Sequence, residues 1–196
     1  MTIKSILKFI IQIYQRYKFK RISVVLGDNV CVNYPYDIFC KEGLIDIQED
    51  VSVHKYSWWL VSPLTGYGKA KLIIGKRTRI GLYSHIVSTR SVIIGNNVEI
   101  SPRVYISDNI HGYYDIEIPC RDQQIIQKKD VFIGDDSWLG ENVCVIGVTI
   151  GKHCVIGANS VVTHDIPDYS VAVGAPAKVI KRYNFENNKW ERVDKL

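Results

Sequence analysis

Residues 131–162 decide the fold, and they read VFIGDDSWLGENVCVIGVTIGKHCVIGANSVV. Aliphatic residues recur in this stretch every six positions, with a single shortening by one residue. They are Ile133, Leu139, Val145, Ile150, Ile156 and Val162. The same spacing holds upstream, with one slip of two residues, at Ile74, Ile80, Ile86, Ile94, Ile100 and Ile106.

A period of six residues matches neither an amphipathic helix nor a simple hairpin sheet. Short parallel strands joined by tight turns have this period when three hexads make one coil of a three-sided column. We therefore predict a mainly β protein, with a parallel β-helix over residues 25–178 and the aliphatic residues pointing inward.

Two further sets of residues support the coil. A small residue follows each aliphatic by four positions and is expected to fill a corner of the column: Thr78, Ser84, Val98, Val104, Ser137, Val143, Cys154 and Ser160. Glycine usually follows the aliphatic directly, and Asn or Asp comes next. We expect these residues to take the unusual φ angles of the turns, with Asn96, Asn97, Asp135, Asp136 and Asn142 as examples.

Three segments depart from the repeat. Residues 107–130 break the period and are predicted to form a protruding loop, where function usually lies. Residues 25–53 carry weaker echoes and are predicted to form irregular first coils. Residues 179–196 are interpreted as a polar, partly helical C-terminal tail.

Residues 1–24 are predicted to hold an N-terminal amphipathic helix. Its apolar stripe consists of Ile3, Ile6, Leu7, Ile10, Ile13, Tyr14 and Tyr17. The apolar run is too short and too interrupted for a spanning helix or a signal peptide. Two interpretations stay open: peripheral contact with an anionic membrane surface, or a cap on the open end of the column.

Charge and cysteine content exclude some function classes. The net charge is +5, but Lys and Arg are spread along the chain, which argues against nucleic acid as a partner. Five cysteines form an odd set without a CxxC pair, so we expect neither a disulfide framework nor a zinc site. A reducing, cytoplasmic location is the simpler expectation.

Three segments resemble the hexapeptide-repeat acyltransferases, over residues 70–182. ISDNIHGY at 106–113 is similar to the active-site segment of that family, and VFIGDDSWLG at 131–140 to the repeat that carries its Trp. IGANSVVT at 156–163, IP at 166–167 and VGAPAK at 173–178 are similar to its cofactor region. The resemblance implies a left-handed β-helix, a homotrimer with sites between subunits, and transfer of an acetyl group from acetyl-CoA to a saccharide hydroxyl.

The resemblance also implies the site residues. His111 would be the general base, because a neutral imidazole can take the proton of a sugar hydroxyl. Asp108 would orient His111, or else cap a turn. Cofactor binding would fall to Trp138, Gly140, Ala158, Thr163, Lys178, Lys181 and Arg182, and substrate contacts to His85, Asn109 and Tyr113. The position after Thr163, commonly Lys in the family, is His164 here, which weakens one expected phosphate contact.

Alternative interpretations remain for several of these residues. For Trp138 the alternative is packing against a neighbouring subunit, for His85 it is a position without substrate contact, and the basic residues near the end also suit a solvated tail. N-acetylation of an amino sugar nucleotide uses the same scaffold, and a non-catalytic assembly module shares the bare hexads. Metal is not expected, since His85 and His111 lack a third partner.

Overall fold

The computed structural model describes residues 3–193, with side chains from residue 10 onward except that of Gln12. The chain is mainly β, and it opens with helix α1 (Ile3–Lys20). Within residues 3–193, no helix has the length and apolar character needed to cross a bilayer.

Six coils of three short strands follow. The first four are β1 (Val24–Leu26), β2 (Cys31–Val32), β3 (Tyr36–Cys40); β4 (Gly43–Ile47), β5 (Ser52–Val53), β6 (Ser57–Val61); β7 (Ala70–Ile74), β8 (Arg79–Ile80), β9 (His85–Ser88); and β10 (Ser91–Ile94), β11 (Glu99–Ile100), β12 (Tyr105–Ser107). Next come β13 (Asn109–Ile110), a 3₁₀ turn (Cys120–Asp122) and β14 (Ile126–Gln127). The last two coils are β15 (Val131–Ile133), β16 (Trp138–Leu139), β17 (Cys144–Ile146) and β18 (Thr149–Ile150), β19 (Val155–Ile156), β20 (Val161–Val162). The chain ends with β21 (Ser170–Gly174), β22 (Ala177–Asn184) and β23 (Lys189–Arg192).

The strands form three parallel sheets, one for each face of the column. The first sheet has the order β1-β4-β7-β10-β15-β18, and the third has β20-β17-β12-β9-β6-β3. The second sheet runs β2-β5-β8-β11-β16-β19-β21-β22-β23, and its last two strands are antiparallel. The chain therefore visits the three faces in turn, which confirms the predicted coil.

Register between coils aligns the inward aliphatics. Ile74 pairs with Ile94, Ile94 with Ile133, and Ile133 with Ile150. All twelve aliphatic positions of the six-residue period are at most 1% exposed, and the predicted corner residues are buried as well. Each such side chain contributes roughly 1.5–3 kcal/mol when removed from water. The six-residue period thus marks the residues that form the hydrophobic core.

The turns correct one prediction. Positive φ angles occur at Asn97, Asp136 and Asn142, as expected, but neither at Asn96 and Asp135 nor at the glycines that follow the aliphatics. Those glycines lie where successive coils touch. A Cβ on Gly75 would lie 2.5 Å from the carbonyl carbon of Gly95. Glycine is required there because the next backbone leaves no room for a side chain.

The helical part of the predicted C-terminal tail is also wrong, as far as the tail is described, which is up to residue 193. The tail contains strands β22 and β23 and no helix within the described residues. Tyr183 pairs with Trp190 across the two strands, and Asn188 takes a positive φ of 56° in the connecting turn. Cross-strand aromatic packing and the turn residue favour a hairpin.

Candidate functional site

His111 lies at the start of an excursion, residues 108–130, that leaves the column after β12, one residue later than the predicted loop because Ser107 still pairs within the third sheet. Strands β13 and β14 pair antiparallel at its base, with Asn109 opposite Gln127. The Gln127 side chain donates to the Asp108 carbonyl (2.7 Å) and accepts from the hydroxyls of Thr65 (2.6 Å) and Thr89 (3.0 Å). The excursion is therefore anchored on both sides of its base, and His111 is exposed on its rim.

Gly112 explains the shape of the chain beside His111. A Cβ at this position would lie 2.5 Å from the Gln124 carbonyl oxygen. The two limbs of the excursion thus approach more closely than any other residue would permit. This close approach fixes the backbone directly after His111.

Asp108 is fully buried and its carboxylate accepts hydrogen bonds from the backbone that opens β10. One oxygen accepts from the Thr89 N–H (2.8 Å), the Thr89 hydroxyl (2.9 Å) and the Asn109 amide (3.0 Å). The other oxygen accepts from the N–H groups of Arg90 (2.7 Å) and Ser91 (2.8 Å). The structure gives Asp108 a role in fixing a turn, and no hydrogen bond joins the described side chains of Asp108 and His111.

These donors stabilise the ionised form of Asp108. Burial by itself raises the pKa of the carboxyl, but the hydrogen bonds from Asn109 and from the Thr89, Arg90 and Ser91 backbone outweigh it. The pKa of Asp108 is therefore below its ordinary value, and the group is ionised at neutral pH. A buried carboxylate with this many donors ties the excursion to the segment that leads from β9 into β10.

His85 points outward from β9 on the third sheet. Its ring lies edge-on between Trp58 (4.6 Å between centroids) and Tyr105 (5.0 Å), its direct neighbours on β6 and β12. Burial by these neighbours lowers the pKa of His85. The structure thus presents a neutral imidazole in an aromatic row. Trp58 and Tyr105 could not be predicted as neighbours of His85 from the sequence, because insertions of different length separate the coils.

The other two predicted substrate residues differ in placement. The Asn109 side chain is buried and donates to Asp108, so its amide group is already used within the protein. Tyr113 is exposed on the excursion, with its ring 4.6 Å from that of Tyr114. Tyr113 stays available to a ligand, whereas Asn109 is part of the support beneath His111.

Trp138 points outward from β16 on the second sheet and is 49% exposed. Its indole N–H donates to the Ser101 hydroxyl (3.0 Å), a contact that the sequence analysis did not predict. Ser101 follows β11, one coil earlier, so the bond holds the indole against the neighbouring coil. Half of the ring nevertheless remains open to solvent.

Lys178 and Lys181 lie on the same sheet as Trp138. Across the strands, Trp138 pairs with Val155, Val155 with Val171, and Val171 with Lys181. Paired residues project from one side of a sheet, and three strand spacings amount to about 14 Å. Lys178 pairs with Val173 on the same strands. The structure therefore brings an indole and two ammonium groups onto one outer face.

Three predicted cofactor residues occupy turns. The Gly140 N–H donates to the Ile156 carbonyl (2.8 Å), and a Cβ there would lie 2.6 Å from the Ala158 nitrogen. The Gly140 N–H is thus used between coils, and contact of the remaining backbone groups of Gly140 and Ala158 with a ligand stays a prediction. Ala158 is exposed, and Thr163 is exposed with its hydroxyl 3.1 Å from His164 Nδ1.

The predicted catalytic and cofactor residues lie on different faces of one chain. His85 belongs to the third sheet, and His111 follows that sheet, whereas Trp138 and both lysines belong to the second. Side chains on adjacent faces of a three-sided column point away from each other. One chain alone does not bring the two groups together.

Two further observations concern a second recess and metal binding. A recess of about 270 Å³ is lined by His153, Tyr169, Tyr183 and Trp190, and it contains none of the predicted site residues. Among the described side chains, no group of three or more His, Cys, Asp or Glu residues is arranged to hold a metal ion.

Comparisons with known proteins identify the family. The family model described as the hexapeptide repeat of succinyl-transferase matches residues 71–107 and 130–164. The chain is 38% identical over 136 residues, 66% of this chain and 69% of the relative, to WbbJ of Escherichia coli K12, which bears the name of a lipopolysaccharide biosynthesis O-acetyl transferase. It is 32% identical over 153 residues to the galactoside O-acetyltransferase of the same organism, covering 78% of this chain and 73% of that one.

A solved structure has the same fold. AntD, an N-acyltransferase from Bacillus cereus in complex with dTDP and 3-hydroxybutyryl-CoA, superposes with a TM-score of 0.71 at 20% identity, over 88% of this chain and 90% of that one. At this identity the likeness concerns the fold alone. On the strength of the sequence relatives, the chain belongs to the hexapeptide-repeat acetyltransferases.

Proposed function

We propose that the protein transfers an acetyl group from acetyl-CoA to a hydroxyl of a saccharide, with His111 as general base. In this proposal the column is a left-handed β-helix and the active form is a homotrimer. The observation that carries the proposal is the outward row on the second sheet, which joins Trp138 to Lys181. The two O-acetyltransferase relatives support the choice of a hydroxyl acceptor.

The second sheet suits acetyl-CoA in shape and charge. Its outer face carries the exposed indole of Trp138 at one end of the row and Lys178 and Lys181 at the other, about 14 Å away. Val155 and Val171 lie between and offer a narrow apolar track. An extended pantetheine arm would lie along this track, its thioester at Trp138 and its phosphates at the lysines, which supply positive charge.

The reaction needs a base at the acceptor hydroxyl. His111 Nδ1 or Nε2 would take the hydroxyl proton as the sugar oxygen forms its bond to the acetyl carbonyl carbon. The C–S bond then breaks, and the proton passes from the imidazolium to the departing thiolate, which gives free CoA thiol and the acetyl ester. A positioned base of this kind contributes on the order of 10²–10⁴ in rate. Asp108 is a positioning residue here, because it fixes the turn three residues before His111.

The acceptor would lie on the third sheet beside the excursion. The row of Trp58, His85 and Tyr105 offers aromatic faces for the apolar side of a sugar ring, and His85 Nε2 or Nδ1 for a hydroxyl. The lowered pKa of His85 keeps its imidazole neutral and able both to donate and to accept. Tyr113 on the excursion would cover this row.

A complete site would then need two copies of the chain. The third face of one protomer would meet the second face of its neighbour, which sets His111 of one copy against Trp138 of the other. Three such contacts close a ring with threefold symmetry. This arrangement explains why the two predicted halves of the site lie on different faces of one chain.

The experiment is release of CoA thiol from acetyl-CoA with a panel of saccharides that includes galactosides, lipopolysaccharide sugars and amino sugars. We expect acceptor-dependent release and an ester product. His111→Ala should lower turnover at least about 10²-fold with nearly unchanged acetyl-CoA affinity, while the matched control His54→Ala keeps full turnover. An amide product on an amino sugar would replace O-acetylation with N-acetylation, and full turnover in His111→Ala would remove His111 from the mechanism.

A further inference from the structure

Helix α1 presents opposite sides to the column and to solvent. Phe19 is fully buried, and its ring lies 5.3 Å from that of Tyr36 in β3. The Gln15 amide donates to the Val32 carbonyl (2.9 Å), and Arg16 donates to the carbonyls of Leu26 (3.1 Å) and Gly27 (2.8 Å). The side that packs on the first coil is therefore formed largely by polar residues of the helix.

The side chains of Ile3, Ile6 and Leu7 in the predicted apolar stripe lie outside the part that the structure describes, and the rest of the stripe, from Ile10 onward, faces away from the column. Ile10, Ile13, Tyr14 and Tyr17 are 53–66% exposed, at the spacing i, i+3, i+4, i+7 of one helix side. The capping interpretation thus holds for the C-terminal half of the helix, which contacts the first coil through Gln15, Arg16 and Phe19. A contiguous exposed apolar stripe on a helix marks an interaction surface.

The charge of the N-terminal segment selects the occupant. Six Lys and Arg residues lie within residues 1–27, and no Asp or Glu does. They are Lys4, Lys8, Arg16, Lys18, Lys20 and Arg21. A second copy of the same helix would bring like charges together without any compensating carboxylate. An anionic lipid surface attracts such a segment.

We propose that α1 docks the protein on the surface of an anionic phospholipid bilayer, with Ile10, Ile13, Tyr14 and Tyr17 in the interface. The helix lies in the plane of the membrane and does not cross it. Tyrosine suits this depth, because its ring is apolar and its hydroxyl stays hydrated. The contacts of Gln15, Arg16 and Phe19 hold the column against the opposite side of the helix. The proposal does not depend on acetyl transfer.

The test is co-sedimentation of the full-length protein with vesicles of phosphatidylcholine alone or with about one-third phosphatidylglycerol. We expect binding to the anionic vesicles, weak binding to the neutral ones, and release by high salt. Lys20→Gln with Arg21→Gln should lower the partition coefficient about 30-fold. Lys55→Gln with Lys69→Gln removes the same charge elsewhere on the exposed surface and should leave binding unchanged.

A second pair of variants tests the apolar stripe. Ile13→Ser with Tyr17→Ser should lower vesicle binding at least about tenfold, whereas Leu64→Ser with Tyr67→Ser, also exposed, should not. Circular dichroism of each variant is compared with that of the wild type to check that the helix persists. The proposal is overturned if the wild type does not bind anionic vesicles. It is also overturned if the two control pairs lose as much vesicle binding as the two pairs of helix variants. A change of oligomeric state in Ile13→Ser/Tyr17→Ser without any effect on vesicles also overturns it, since the stripe is then a protein interface.

Discussion

Replacement of Asp108 by Asn removes one negative charge and two acceptor sites from a fully buried carboxylate. One oxygen of Asp108 faces the N–H groups of Arg90 and Ser91, and the other faces the Thr89 N–H together with the Asn109 amide. The new NH₂ group therefore opposes at least two buried donors in either orientation of the side chain.

The magnitude follows from this count. At least two hydrogen bonds to a charged group are lost, and two buried N–H groups are left without an acceptor, each at about 1–3 kcal/mol. We expect Asp108→Asn to lower the free energy of unfolding by about 2–6 kcal/mol at neutral pH. This is a large share of the stability of an ordinary domain, about 5–15 kcal/mol. Asp37→Asn, on the exposed side of β3, should change stability by less than about 0.5 kcal/mol.

The assay is urea unfolding followed by Trp fluorescence, with all variants at one protein concentration. Acetyl-CoA turnover is measured in parallel at a temperature where the variant is folded. Unchanged stability of Asp108→Asn together with a large loss of turnover would refute the structural role and restore Asp108 as the residue that orients His111.

The remaining predictions concern pH, the cofactor face and the coils. The folded-state pKa of Asp108 lies below its unfolded value. The stabilisation by its charge is therefore fully present above the unfolded pKa, about 4, and is lost as pH falls through the folded pKa. The difference in the free energy of unfolding between wild type and Asp108→Asn should accordingly shrink in acid. Trp138→Ala should raise the KM for acetyl-CoA at least about tenfold, whereas Phe132→Ala, exposed on the first sheet, should not. Gly75→Ala should cost about 1–3 kcal/mol in urea unfolding, because its Cβ would meet fixed backbone of the next coil.

The column could be predicted because its signal is repeated in each coil. Each inward aliphatic stacks on an equivalent residue of the next coil, as Ile74 does on Ile94, so the same constraint selects the same residue type every six positions. The C-terminal hairpin occurs once and depends on one aromatic pair and one Asn turn. The local composition after Val179 gave no periodic pattern, and the helix assigned there was wrong.

Less of the candidate site than of the column could be predicted from the sequence. His111 and Trp138 stand out as departures from the repeat, and their placement outside the core is as expected. The backbone partners of Asp108 lie 17–19 residues upstream, where the chain passes from β9 into β10, and no local sequence pattern predicts these contacts. The aromatic neighbours of His85 are separated from it by unequal intervals, since loops of different length leave the column. To predict contacts between coils one must therefore know the register of strand pairing, and the sequence does not define that register where insertions leave the column.

The most direct test of a site shared between copies is complementation of two weak variants. His111→Ala and Trp138→Ala chains are co-expressed in equal amounts, and thiol release is measured at an acetyl-CoA concentration where each variant alone is nearly inactive. If each site takes His111 from one protomer and Trp138 from its neighbour, about one quarter of the sites in randomly mixed trimers are intact, and about a quarter of wild-type activity returns. Activity no higher than the average of the two separate variants would contradict a site built from two chains.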